Sequence, residues 1–124
     1  DVTGLTSVKD WLHHQKTLLD HLHQTLGTQM ICVSAIPPIE HFPALPFPLS
    51  WVLGKHARRL DTSRQRHLSQ TPGYTAIDFH MPLSPDLMAE DGFHPNAKAY
   101  ALWAKALARQ IKESVSDRQE KGAL

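Results

Sequence analysis

Only two stretches of this chain are short, apolar and bounded as a β-strand requires, and each lies between long amphipathic segments. Met30-Ile31-Cys32-Val33-Ser34-Ala35-Ile36 is a nearly continuous apolar run between Gly27 and Pro37. It does not alternate, which points to a strand covered on both faces, as in a parallel sheet. Tyr74 to Phe79 follows the turn Thr71-Pro72-Gly73 and reads as the second strand, with Asp78 near its C-terminal edge. The order helix, strand, helix, strand, helix is that of an α/β protein. Two parallel strands cannot by themselves give three helices a shared sheet with both faces covered. The chain is therefore expected to form the C-terminal half of a sandwich, completed by another polypeptide or by self-association.

The helices are marked by their periods and their ends. Ser7 and Asp10 have the spacing of a capping box, with an acid in place of Glu or Gln. Val8, Trp11, Leu12, Leu18, Leu19, Leu22 and Leu26 follow at helical spacing, and Gly27 stands where a left-handed cap belongs, so a helix is predicted over about 7–26. Leu49, Val52, Leu53, His56, Leu60, His67 and Leu68 mark a second helix over about 49–69. Lys55, Arg58, Arg59, Arg64 and Arg66 line its other faces and are expected to be a solvated basic stripe rather than a phosphate contact. Ala97, Tyr100, Ala101, Ala104, Leu107, Ala108, Ile111 and Val115 predict a third helix, with a polar tail fraying from about residue 116. Between the first strand and the second helix, residues 37–48 hold five of the nine prolines, with His41, Phe42, Leu45 and Phe47. So apolar and stiff a segment is not a linker. It is expected to pack over the sheet edge or to wall a substrate cleft.

Composition narrows the function classes. The 124 residues carry 13 Lys and Arg against 12 Asp and Glu, a net charge of +1, which is too small an imbalance to favour a nucleic-acid partner. The single cysteine, Cys32, excludes an intrachain disulfide and a multi-cysteine zinc site and is expected in core packing. No apolar run is long enough for a membrane span. An apolar fraction of 41% is too high for a disordered chain. The chain starts at Asp1 rather than Met, as expected of a processed or excised segment, so compartment cannot be read from its start.

The stretch richest in chemistry is Asp91-Gly92-Phe93-His94-Pro95. A histidine just before a helix faces unpaired backbone N–H groups and the positive end of the helix dipole, which disfavour the imidazolium. Such a ring is suited to accept a proton. Gly92 permits a tight turn that brings the Asp91 carboxylate to one ring nitrogen, the orienting partner that an acid–base histidine needs. Pro95 suits the first helical position. In α/β folds, sites lie outside the carboxyl ends of the strands, where this segment falls. The nine histidines also raise a metal reading. Of His13, His14, His21 and His23 only the pair 14 and 21 shares a helix face, against the i, i+4 spacing usual for ligand pairs, so no metal site is expected. His80, after the second strand, is expected to make a loop contact.

Asp91-Gly92-Phe93-His94-Pro95-Asn96 resembles the Asp-x-x-His block of the SGNH hydrolases, also called the GDSL esterase/lipase family. The downstream Ala97-x-x-Tyr100-Ala101-x-Trp103-Ala104 is similar to the helix that follows this block in many bacterial members. Pro37-Pro38, Phe42-Pro43, Pro48-Leu49 and Leu53-Gly54 are similar to the middle segment of one subfamily, and Asp1 fits the Asp of the family's Gly-x-Asn-Asp block. The resemblance covers essentially the whole chain and the second half of the family's domain. It implies the C-terminal half of a three-layer α/β/α (flavodoxin-like) parallel-sheet sandwich. It further implies that His94 is the general base and acid of a Ser-His-Asp triad, and that Asp91 is its orienting carboxylate. No metal or organic cofactor is implied, and the partners are an ester substrate and the other half of the domain. The family's Gly-Asp-Ser nucleophile block and its oxyanion-hole Gly and Asn have no counterpart here. None of Ser7, Ser34, Ser50, Ser63, Ser69, Ser84, Ser114 and Ser116 sits in that context or in a Gly-x-Ser-x-Gly elbow. The expectation is an esterase-like hydrolase as a complete protein, and no ester hydrolysis by this chain alone. The alternatives are a non-catalytic self-associating fragment and an acyltransferase on the same fold.

Overall fold

A computed structural model describes residues 2–78 and 84–122, with side chains described as far as residue 119. The elements are α1 (Val8–Gln24), β1 (Ile31–Ser34), α2 (Leu49–Ser69), β2 (Tyr74–Ile77) and α3 (Ala97–Gly122), with short 3-10 turns at Ile39–His41 and Pro85–Leu87. The expectations for Asp1 and His80, and the last residue of the predicted second strand, Phe79, lie outside the described residues. The two strands pair in parallel, Ile31 opposite Tyr74 and Ser34 opposite Ile77, with α2 as the crossover between them. The protein is thus mixed α/β, with three helices and a two-stranded parallel sheet. Among the described residues no helix is long and apolar enough to cross a membrane.

Local chemistry sets the helix ends. The Ser7 hydroxyl accepts from the Asp10 N–H at 3.1 Å and donates to the Asp10 carboxylate at 2.7 Å. Asp is one methylene shorter than Glu, so it meets the cap's hydroxyl where a full capping box would reach the cap's backbone N–H. After α1, Gly27 adopts a φ of +62°, the left-handed conformation glycine takes without penalty, and the Thr28 N–H reaches back six residues to the Leu22 carbonyl at 3.2 Å.

Two apolar clusters hold the layers. Leu19 of α1 and Leu68 of α2 pack on Ile31, with Val33, Tyr74 and Ala76 beside them, so both helices lie against one face of the sheet. The second cluster lies under the Pro-rich segment: Ile39 and Phe42 pack on Leu53 and Ala57 of α2 and on Met88, with Phe93 at its margin. Residues 37–48 therefore form an ordered cover, as their apolar content requires.

Arg64 departs from the expected basic stripe. Its side chain is 2% exposed. Its Nε donates to Asp61 at 2.8 Å, Nη1 to the Val33 carbonyl at 3.0 Å and Nη2 to Asp78 at 2.7 Å. Asp61 Oδ1 accepts in addition the backbone N–H of Ile36 at 2.9 Å. The stripe expectation fails at this position because a helical repeat cannot distinguish a long cation at the edge of the apolar face from one on the solvent side. Burial opposes the guanidinium charge, but the hydrogen bonds and charges of Asp61 and Asp78 outweigh it and hold the group above its ordinary pKa.

The third helix also differs from expectation. It continues past residue 116 to Gly122, and Arg118 donates to the carbonyls of Gln29 and Gly73 at 2.9 and 3.1 Å. Those long-range bonds tie down a segment that its polarity alone marks for fraying. Its apolar stripe is mostly uncovered: Tyr100, Ala101, Ala104, Ala108 and Val115 are exposed, while Ala99 is fully buried. With two strands beneath it, the helix has too little sheet to cover that stripe.

Removing one partner of a buried, hydrogen-bonded ion group leaves the others unpaired at a cost of about 3–5 kcal/mol. Asp78 is half exposed and can recover water, so Arg64→Ala is expected to lower stability by roughly 2–4 kcal/mol. Urea unfolding of the two chains measures the difference, and a loss under roughly 0.5 kcal/mol, the range of ordinary surface substitutions, would show that the clasp does not hold the strands.

Candidate active site

The segment leading into α3 is a tight, paired loop. The Ala89 N–H donates to the His94 carbonyl at 2.7 Å, the Gly92 N–H to the Ala89 carbonyl at 2.9 Å, and Met88 bridges Pro95. Gly92 takes a φ of +64°, and a Cβ there would lie 3.1 Å from the Ala44 nitrogen and 3.2 Å from the Pro43 Cβ. Glycine thus serves both the left-handed turn and the close approach of the Pro-rich segment, where the Ala44 N–H donates to the Gly92 carbonyl at 3.1 Å. Phe93 points back into the second apolar cluster and meets Phe42 edge to face at 5.4 Å, which anchors the loop between its two polar neighbours.

Pro95 is not the first helical residue. Asn96 caps α3, its Oδ1 accepting from the N–H groups of Lys98 and Ala99 at 3.0 and 3.2 Å, while its Nδ2 donates to the carbonyls of Asp86 and Met88. Asparagine outranks an apolar residue as a cap because its side-chain oxygen satisfies orphan backbone donors, and Pro95 is displaced outside the helix into the bridge with Met88.

Asp91 and His94 meet as their spacing suggests. Asp91 Oδ1 accepts the backbone N–H groups of Phe93 and His94, each at 2.9 Å, and Oδ2 lies 2.6 Å from His94 Nδ1. These bonds, led by the His94 N–H and followed by the His94 ring and the Phe93 N–H, hold the Asp91 carboxyl far below the usual carboxylate range. An ionised carboxylate can only accept, so Nδ1 carries the proton in this pair, and in the neutral ring Nε2 is left as the acceptor. The imidazole is 67% exposed and Asp91 51%. Among the described residues no hydrogen bond occupies Nε2.

The ring borders a cleft of about 300 Å³ lined by Ser34, Ala35, Pro37, Phe42, Phe93, His94, Pro95 and Trp103. The walls are almost wholly apolar, with Ser34 and His94 as the polar side chains. The cleft sits at the carboxyl end of β1, where ligand sites of open α/β sheets lie. Compared with family models, curated proteins and solved structures, the chain matches none.

Spacing in the sequence brings Asp91 and His94 together but does not gather the rest of the cleft. Ser34 lacks a nucleophile context in the sequence, yet it lines the cleft as the last residue of β1. Among the described residues no hydrogen bond joins it to His94. Its position at the end of a strand was the available signal. Trp103 stood out only as part of a helical motif, and nothing local shows that it turns toward the cleft. Among the described residues no three His, Cys, Asp or Glu side chains gather as metal ligands. Cys32 is half-buried, and burial pushes its thiol pKa up, away from the reactive thiolate.

The Asp91 carboxylate is favoured by the folded turn, so its contribution to stability is complete above the ordinary carboxyl pKa of about 3.9. It is lost only as pH falls through the lowered value in the folded chain. Carboxyl-carbon NMR of Asp91 is expected to show a midpoint below about 3.9, with the His94 ring signals shifting in step. A midpoint at or above that value would dissolve the pair as described.

Proposed function

We propose that this chain supplies the Asp–His pair of an SGNH-type serine carboxylic ester hydrolase. In that reading it is the C-terminal half of a flavodoxin-like three-layer α/β/α sandwich. The observation that carries the proposal is the 2.6 Å bond between His94 Nδ1 and Asp91, on an exposed ring at the edge of an apolar cleft. The half-sandwich is supported by the two parallel strands, by the uncovered apolar stripe of α3 and by the position of the cleft at a strand's carboxyl end.

In this mechanism a serine hydroxyl from outside the chain attacks the ester carbonyl, and His94 Nε2 takes its proton. The tetrahedral intermediate expels the alcohol, which leaves with that proton. Water then attacks the acyl-serine by the same route in reverse, giving the acid and the free hydroxyl. Asp91 holds the ring in the required tautomer and stabilises the imidazolium that forms twice per turnover. Donors for the oxyanion belong to the same missing half. Phe42, Phe93, Pro37 and Trp103 offer the apolar part of the ester a surface without competing charge.

A second reading, self-association without catalysis, is favoured by one observation: Tyr100, Leu102 and Val115 of α3 are exposed large apolar residues. Light scattering of the purified chain separates the two. A dimer that persists on dilution and that Tyr100→Ser with Leu102→Ser disperses favours self-association; a monomer that unfolds cooperatively opposes it.

The hydrolase reading is tested by joining the chain to its native upstream half and assaying short-chain p-nitrophenyl esters. The chain alone is expected to show no hydrolysis above background. In the joined protein Asp91→Asn is expected to lower kcat by about 10⁴-fold and His94→Ala by at least as much. Full activity surviving His94→Ala would refute the assignment.

A further inference from the structure

The outward side of α2 takes no part in the chemistry above. The helix buries Leu53, Ala57, Leu60, Arg64 and Leu68 toward the sheet and the Pro-rich cover. With about 3.6 residues per turn, the diametrically opposite side carries Trp51, Val52, Lys55, Arg59, Thr62 and Arg66, all exposed. Three cations lie on this face without a carboxylate among them. Asp61, the one acid of α2, is turned inward to Arg64, and the neighbouring Arg58 is paired with Glu40.

The amino end of the same face is apolar. Phe47, just ahead of α2, is 81% exposed and Trp51 55%, with Val52 beside them. The Lys55 ammonium stands 5.2 Å from the Trp51 ring centroid, so a cationic tip rides on an apolar body. Further strands added at the free edge of β1 would widen the sheet beneath α2 and leave this outward face uncovered. Completing the sandwich therefore does not account for it.

We infer that this face, with Phe47, is a peripheral docking surface for an anionic lipid bilayer. Phe47, Trp51 and Val52 enter the boundary between headgroups and acyl chains, and Lys55, Arg59 and Arg66 lie against the anionic headgroups. The pairing of an apolar tip with an acid-free basic stripe favours a lipid surface over nucleic acid, because phosphate binding alone gives Phe47 and Val52 no partner.

The test is sedimentation of the 124-residue chain with vesicles of phosphatidylcholine alone or mixed with phosphatidylglycerol, alongside tryptophan emission. Binding is expected for the mixed vesicles, weaker at high salt, with a blue shift in emission read on the unsubstituted chain. Lys55→Gln, Arg59→Gln and Arg66→Gln are each expected to lower partitioning roughly fivefold. Phe47→Ser with Trp51→Ser is expected to abolish it, with far-UV circular dichroism unchanged. Equal binding to neutral and mixed vesicles, or no binding to either, overturns the inference. So does binding insensitive to the Phe47 and Trp51 substitutions, tighter binding to a single-stranded oligonucleotide, or a dimer that those substitutions disperse.

Discussion

The buried guanidinium of Arg64 is the constraint on which the rest of the structure hangs. A two-stranded sheet is a weak scaffold, since each strand offers only one neighbour. Arg64 binds the carbonyl of Val33 in β1 and the carboxylate of Asp78 just after β2, so one side chain of the crossover helix grips the carboxyl ends of both strands. Asp61, on the preceding turn of α2, both orients that guanidinium and accepts the Ile36 N–H where the chain leaves β1. Taking such a cation out of water is costly, and the cost is offset only because its donors find carboxylates and a carbonyl already in place.

That grip sets the direction in which the Pro-rich segment departs. Held at Ile36, residues 37–48 fold across α2, bury Ile39 and Phe42, and bring Pro43 and Ala44 against Gly92. The loop of Asp91 and His94 thus rests on a cover that itself depends on the clasp. Phe93 locks the loop from below while its two polar neighbours face outward. With Phe93 packed inward and the Asp91 carboxylate on the ring, an exposed histidine is kept in one orientation without being buried.

The uneven burial of the helices follows from the same economy of strands. α1 and α2 share one face of the sheet, where Leu19 and Leu68 pack on Ile31, and Trp11 and Leu60 of these helices are also buried. On α3 the packed positions are few, and Arg118 and Gln110 hold it by hydrogen bonds to the carbonyls of Gln29, Gly73 and Asp78. A helix attached by polar contacts at intervals keeps an apolar stripe available for further sheet or for a second copy.

The sequence by itself determined whatever is set within a few residues. It fixed the α/β order, the Ser7 cap, the left-handed Gly27, and the Asp91–His94 pair joined across a glycine turn. The order is written in the period of the apolar residues, and the caps and the Asp91–His94 pair depend on hydrogen bonds between near neighbours, so spacing and residue type suffice. Only the tertiary structure decided that Arg64 is buried and that Asn96 rather than Pro95 starts α3. It alone turned Ser34 and Trp103 to one cleft with His94, and left most of the α3 stripe uncovered. Those outcomes depend on which surfaces meet across distant parts of the chain, and a periodic pattern records that a side chain is apolar or charged without recording what stands opposite it.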